Sequence, residues 1–225
     1  MEHKKVSTVF GASGLVGTHL VELMSRDPKH KTILVANRSH IAYSSPKVKE
    51  IIVDFDDLDQ YTELFQVDEV FVCIGTTIKK AGSKEKFKQI DLELPKKIAQ
   101  QANEHKVNFF CLISSLGADA DSSNFYSKTK GQAEDAVSNL DFKHLYIVQP
   151  SLLLGSRNES RTGEAIAQWV MKGLDFLFIG PLKKYKAIKA ENVASAMLFI
   201  ADQLPNKQVI PSAELQQFST NYFQQ

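Results

Sequence analysis

The sequence is poor in the features that mark several protein classes. It has two cysteines in 225 residues, Cys73 and Cys111. Both stand inside apolar runs that read as buried strands, so they are expected to be reduced core thiols rather than a disulfide or a metal pair. Cysteine use of that kind fits a reducing compartment, and a cytoplasmic location is expected. The six histidines do not cluster at metal-ligand spacing, so no metal site is expected. Formal net charge is only +1, which argues against a nucleic-acid partner. No apolar stretch approaches the ~20 residues that span a bilayer. Met1-Glu2-His3-Lys4-Lys5 runs directly into a strand pattern, without the apolar core of a signal peptide. No low-complexity tract or solenoid repeat is evident.

What the sequence does have is alternation. Apolar runs at residues 6–10, 32–36, 48–53, 69–74, 108–113 and 144–148 are separated by amphipathic stretches. That order is the βαβ signature of a parallel sheet wound on both faces. Helices are expected over 14–25, 58–65, 84–105 and 124–139, with Pro95 as the weak point of the third. After Pro150 the pattern loosens. A helix over 163–172, a short strand over 185–188, a helix over 191–203, a strand near 208–210 and a short final helix with a polar tail are expected. No linker interrupts the chain. It reads as one α/β domain over 1–225, a doubly wound parallel-sheet Rossmann fold in which 151–225 contribute a small C-terminal cap.

The first strand and first helix are joined by Gly11-Ala12-Ser13-Gly14-Leu15-Val16-Gly17. Gly11 permits the angles of a tight turn. Gly14 lets the main chain approach a pyrophosphate, and Gly17 lets the helix pack closely. Ser13 adds a hydroxyl, and the N–H groups at the helix start, around Leu15 and Val16, face the phosphates. Three glycines alone say little; their position at the first βα turn predicts a dinucleotide site. The second strand ends Ala36-Asn37-Arg38, with no acid to hold a ribose 2′-hydroxyl. A guanidinium there suits a 2′-phosphate, so NADP is expected over NAD; the alternative is a solvated surface arginine. Asp54-Phe55 after the third strand suits an adenine contact or, equally, a helix cap. Ile74-Gly75-Thr76 after the fourth strand suits passage beneath the ribose and diphosphate, or a plain strand-ending turn.

The chemistry is expected near the end of the fifth strand, Ser114-Ser115, and in Tyr126-Ser127-Lys128-Thr129-Lys130. Tyr126 and Lys130 are one helical turn apart and share a face. An ammonium beside a phenol favours the phenolate, which makes Tyr126 a general acid or base. Ser115 would orient a carbonyl or hydroxyl, and Lys130 would also hold the nicotinamide ribose. Lys128 lies only two residues from Tyr126 and faces away.

On these residues the chain resembles the short-chain dehydrogenase/reductase superfamily in its atypical branch. The stretches Leu112-Ile113-Ser114-Ser115-Leu116-Gly117-Ala118-Asp119, Ser122-Ser123-Asn124-Phe125, Lys130-Gly131-Gln132-Ala133-Glu134, Cys73-Ile74-Gly75-Thr76-Thr77 and Arg157 through Glu164 look like the Tat-interacting-protein family of oxidoreductase-like proteins. The resemblance implies bound NADP(H) with Ser115, Tyr126 and Lys130 at the catalytic positions. It also implies that Pro150, Ser151 and Leu152 face the nicotinamide. The superfamily often adds an asparagine to this set, and Asp91 occupies its approximate position. Residues 157–164 read as a substrate loop or as a salt-bridged surface loop.

The expected function is therefore an NADP-dependent oxidoreductase acting on a small carbonyl or alcohol. The alternative is an NADP(H)-binding regulator with little or no turnover, read by a protein partner. An epimerase or dehydratase shares the same triad, but about 75 residues after Pro150 are few for the usual sugar-nucleotide domain. A homodimer is compatible with the sequence.

Overall fold

The computed structural model describes residues 3–155 and 186–225. Seven parallel strands form the main sheet in the order β3 (Val48–Ile52), β2 (His30–Asn37), β1 (Lys5–Phe10), β4 (Glu69–Val72), β5 (Phe109–Ile113), β6 (His144–Gln149) and β9 (Val209–Pro211). A second, two-stranded parallel ribbon pairs β7 (Leu153–Leu154) with β8 (Ile188–Lys189). The order reverses between β1 and β4, and this is the switch point where doubly wound sheets bind ligands at the carboxyl ends of their strands.

The strands alternate sides within single elements, which explains two hydrophobic cores. Val9, Phe71, Phe109 and Cys111 face one layer together with Leu20 and Met24 of α1 (Leu15–Arg26) and Met197 and Ile200 of α6 (Ala190–Gln203). Phe10, Val70, Val72, Phe110 and Leu112 face the other, with Ile98 and Ala99 of α4 (Leu94–Glu104) and Val137 of α5 (Phe125–Ser138). The C-terminal helices cap the fold: α6 lies against α1 and against α7 (Ser212–Tyr222). The expected helices over 14–25, 124–139 and 191–203 correspond to α1, α5 and α6.

Two expectations change. The single helix at 58–65 is instead two 3₁₀ turns, Phe55–Gln60 and Thr62–Leu64. The Asp54 carboxylate accepts the Asp56 N–H at 2.9 Å and starts the first turn early. Asp57 leaves helical angles inside that turn, which stops it from propagating. The helix at 84–105 is built in three parts: α3 (Lys84–Lys88), a π-helical turn over Gln89–Glu93, and α4. Pro95 has no N–H to give the Asp91 carbonyl, so the α-helical ladder is missing a bond there and the preceding turn widens. A short helix, α2 (Ile78–Ala81), precedes it. The helix expected over 163–172 and the loop 157–164 lie outside the described residues.

Candidate active site

The site forms around the turn between β1 and α1. Gly11 has φ of +80°, and a Cβ there would meet the Cys73 carbonyl carbon and oxygen at 2.7 Å. The turn is thus pressed onto the chain leaving β4, across the switch point. A Cβ on Gly17 would stand 2.2 Å from the Gly11 carbonyl oxygen. The close approach expected of Gly17 is therefore onto its own turn rather than onto the sheet. Gly14 caps α1 without any side-chain hydrogen bond, and the first turn of α1 carries no acid. The N–H groups at that end are open to an anion, while Ser13 is exposed beside them and Val16 is buried beneath. These residues fit a dinucleotide pyrophosphate: an uncapped helix N-terminus, without competing negative charge, behind a turn with no Cβ in the way.

Beyond the ends of β2 and β3, Arg38 is exposed, and its guanidinium carbon lies 5.5 Å from the centroid of Phe55. Phe55 meets Phe10 edge-on. Asp54 serves as the cap described above. Asn37 is buried; its amide donates to Tyr43 Oη at 2.9 Å and to Glu50 Oε1 at 2.6 Å, fastening the loop after β2 onto β3.

At the other end, Cys73 through Thr77 follow β4, which stops at Val72. The Thr76 N–H donates to Asp91 Oδ2 at 2.9 Å, and Asp91 Oδ1 lies 2.7 Å from Lys130 Nζ. Asp91 is 1% exposed and Lys130 5%. A Cβ on Gly75 would come within 3.5 Å of that carboxylate and 3.7 Å of that ammonium. Asn124 caps α5 by accepting the Ser127 N–H at 3.1 Å, which sets Tyr126 and Lys130 one turn apart near the helix start. The half-buried Tyr126 packs its ring on Phe87, with centroids 5.6 Å apart. The ammonium is thus held by Asp91, a partner that spacing alone did not reveal. One turn further along α5, the Glu134 carboxylate accepts from Gln149 Nε2 at 2.9 Å on both oxygens. Burial pushes Glu134 above the ordinary carboxylate range.

Ser115 follows the fifth strand, and among the described residues its hydroxyl makes one long 3.5 Å contact, to the Leu116 carbonyl. The Leu116 N–H donates to the Pro150 carbonyl at 2.9 Å, which joins the loops after β5 and β6. Pro150 is buried, while Leu152 is 62% exposed. Ser151 donates to the Lys186 carbonyl and accepts from Ser212 Oγ at 3.0 Å. The structure thus brings the glycine turn, Ile74-Gly75-Thr76, Asp91 and Lys130 to one edge of the sheet. A polar cleft lined by Lys143, His144 and Lys207 lies at the opposite, amino-terminal edge of β6 and β9 and plays no part in this arrangement.

Fold and cradle together define an NAD(P)-binding, oxidoreductase-like α/β protein. The chain belongs to the NAD(P)H-binding family, whose profile matches residues 11–203. Among curated relatives, mitochondrial protein FMP52 of Candida albicans is 37% identical over 170 residues, covering 72% of this chain and 73% of its own. Protein HTATIP2 of Rattus norvegicus is 37% identical over 174 residues, covering 75% and 70%. Among solved structures, MoeE5 in complex with UDP-glucose and NAD superposes with a TM-score of 0.67 at 13% identity, covering 96% of this chain and 81% of its own.

Two expectations are overturned. The similar solved structures described with a dinucleotide contain NAD, so the expected preference for NADP does not hold. Arg38 stacked on Phe55 accounts for an arginine at that place without a 2′-phosphate. The expected cytoplasmic location is overturned by the FMP52 relatives, which are mitochondrial proteins. Reduced cysteines mark a reducing compartment and do not distinguish the cytosol from an organelle interior. Among the described residues no helix is long and apolar enough to cross a membrane.

Proposed function

We propose that the protein is a nicotinamide-dinucleotide-dependent oxidoreductase of the short-chain type, acting on a small carbonyl or alcohol. The observation that carries this reading is the buried Lys130 ammonium beside Gly75, one helical turn from Tyr126 and at the same sheet edge as the uncapped start of α1. When bound, the nicotinamide supplies or accepts the hydride. Residues 11–17 hold the pyrophosphate, with Ile74, Gly75 and Thr76 lining the adjoining ribose. Tyr126 gives or takes the proton at the substrate oxygen, Ser115 orients that oxygen, and Lys130 holds the ribose nearest the nicotinamide. Arg38, Asp54 and Phe55 border the adenine end. Pro150, Ser151 and Leu152 border the nicotinamide.

The test is a Tyr126→Phe variant assayed by NADH oxidation across a panel of small aldehydes and ketones. Turnover is expected to fall by about a hundred- to ten-thousand-fold, with NADH affinity retained. A variant that reduces carbonyls at the parent rate would remove Tyr126 from the chemistry.

A second reading is favoured by one observation: MoeE5, of similar fold, is a complex with a nucleotide sugar as well as NAD. In that reading the same groups oxidise and re-reduce one sugar carbon, with no net change in the dinucleotide. Conversion of UDP-glucose to an epimer without net NADH formation would support it; steady NADH consumption with a simple carbonyl would support the first reading.

A further inference from the structure

The chain leaves the site at Thr76 and returns to it at Asp91. One hydrogen bond, from the Thr76 N–H to Asp91 Oδ2 at 2.9 Å, closes the loop between them. That loop holds α2 and α3, each started by a side-chain cap. Thr77 accepts the Lys80 N–H at 3.2 Å, and Ser83 accepts the Lys86 N–H at 3.1 Å. Of residues 77–88 only Phe87 is buried. Its ring packs on Tyr126 and on Phe125, with centroids 5.6 Å and 5.7 Å apart. The loop is thus anchored against the start of α5, beside the tyrosine assigned the proton.

Around this anchor the segment is strongly basic. Residues 77–88 hold Lys79, Lys80, Lys84, Lys86 and Lys88 and a single acid, Glu85. That is a formal +4 in a chain whose total is +1, so all other residues together sum to −3. All five lysines are exposed. Among the described residues, Lys79, Lys84, Lys86 and Lys88 make no close ion pair. The Lys84 ammonium instead lies 5.3 Å from the centroid of Phe125. Lys84 and Lys88 are one helical turn apart, and like charges at that spacing weaken a helix rather than build it.

We propose that this segment selects an anionic substrate for the site: a carbonyl compound or alcohol that also carries a carboxylate or a phosphate. This rests on the oxidoreductase reading above. Exposed ammonium groups spread over two short helices form no tight pocket. They act through their summed field, which raises the local concentration of an anion at the rim of a cleft. In water, a unit charge about 10 Å away favours an anion roughly twofold, so the segment as a whole gives a preference of about tenfold when salt is low. The dinucleotide does not depend on this field, since its pyrophosphate is assigned to residues 11–17 at the start of α1.

The test uses alcohols, which bind beside NADH without turning over. Binding of γ-hydroxybutyrate is compared with that of butanol, and glycerol phosphate with glycerol, on the NADH-loaded protein at about 10 mM ionic strength, where the Debye length is about 30 Å. One or both anions are expected to bind about tenfold more tightly than the neutral partner, and the larger preference tells carboxylate from phosphate. At about 1 M ionic strength the Debye length is about 3 Å and the preference disappears. Lys84→Gln, Lys86→Gln and Lys88→Gln combined should weaken binding of the preferred anion by about fivefold or more, with the neutral alcohol and NADH within about twofold of the parent. Equal affinity for charged and neutral alcohols overturns the proposal. So does an anion preference that survives in the variant, or an equal loss of NADH and alcohol. A parent that prefers the anions but oxidises none of these alcohols with NAD keeps this inference and refutes the oxidoreductase reading. One that oxidises charged and neutral alcohols alike does the reverse, and one that binds no NADH refutes both.

Discussion

Gly17→Ala is the sharpest perturbation of the cradle, because its cost is steric rather than conformational. Gly17 lies within α1, where alanine is favoured by about 1 kcal/mol. Its new Cβ would stand 2.2 Å from the Gly11 carbonyl oxygen and 2.9 Å from the Ala12 Cα. Neither side can yield easily. Val16, Leu20 and Met24 pin α1 in the core, and the Gly11 turn is pressed against Cys73. Overpacking of this kind costs about 1–3 kcal/mol, or more when the contacts are backbone. After the helical gain, a net loss of up to about 2 kcal/mol is expected, which for a chain of this size lowers Tm by up to about 8 °C. Gly82→Ala provides the control. Gly82 has φ of +82° with nothing within 4 Å of a Cβ, so alanine there meets only the left-handed penalty of about 1–2 kcal/mol, partly offset through the unfolded chain. Both variants are therefore mildly destabilised, but their ligand binding diverges. In Gly17→Ala the displaced turn weakens NADH binding by at least about tenfold, the value of one charged hydrogen bond; Gly82→Ala leaves it unchanged. Thermal unfolding and NADH fluorescence titration measure the two effects. Parent-like NADH affinity in Gly17→Ala would refute the placement of the pyrophosphate on this turn.

Two further predictions concern buried ionisable groups. Burial pushes the Cys73 thiol up to about 12 and Cys111 well above its ordinary value. Neither should react with iodoacetamide in the folded protein at pH 8, and both should react in urea; rapid alkylation of native protein would contradict this. For Glu69, burial alone would raise the carboxyl, but His30 and Lys5 beside it hold it below the usual carboxylate range. A folded-state value depressed in this way contributes stability above the unfolded value near 4.5, and that contribution is lost as pH falls through the folded value. Urea unfolding between about pH 5 and pH 3 should therefore show a steep loss in the parent and a shallower one in Glu69→Gln, with the variant less stable by about 3 kcal/mol at pH 7. Equal slopes would remove Glu69 from the acid response.

The sheet was legible because each strand alternates between two cores. Val9 and Phe10, or Phe110 and Cys111, take opposite faces within one run, and the same pattern recurs at every βα step. The glycine turn was legible for a local reason, since three missing Cβ atoms mark where backbone crowds backbone. Ionic pairing across elements was not. Asp91 and Lys130 come from different helices; the family resemblance set Asp91 near the same group of residues, but nothing in either segment shows that the two pair. Pro95 was visible as a flaw in a helix, but its consequence, a widened turn that aims Asp91, depends on the packed structure. The 3₁₀ turns after β3 were missed for a similar reason: Asp54 caps the first turn and Asp57 breaks it, while the apolar spacing alone suggests one helix. The two-residue strands β7 and β8 are too short to carry any period.

Two buried charge clusters lie at opposite ends of the same sheet, and their positions assign them different work. At the amino-terminal edge, Lys5 of β1 lies 2.6 Å from Glu69 of β4 and 3.2 Å from Asp202 of α6. Glu69 also accepts from Ser7 Oγ at 2.8 Å and lies 3.3 Å from His30 Nε2 at the start of β2. Every member joins a neighbouring element, so the cluster locks β1, β2, β4 and α6 in register. It sits away from the strand ends where doubly wound sheets take their ligands. The Asp91–Lys130 pair has the opposite character. It lies at the carboxyl edge, on a distorted turn, where a Cβ on Gly75 would come within 3.5 Å of the carboxylate and 3.7 Å of the ammonium. A charge pair that only tied elements together would need neither the open glycine nor the wide turn. The one arrangement ties strands and helix together away from the ligand edge; the other lies at the edge where the proposed dinucleotide would sit.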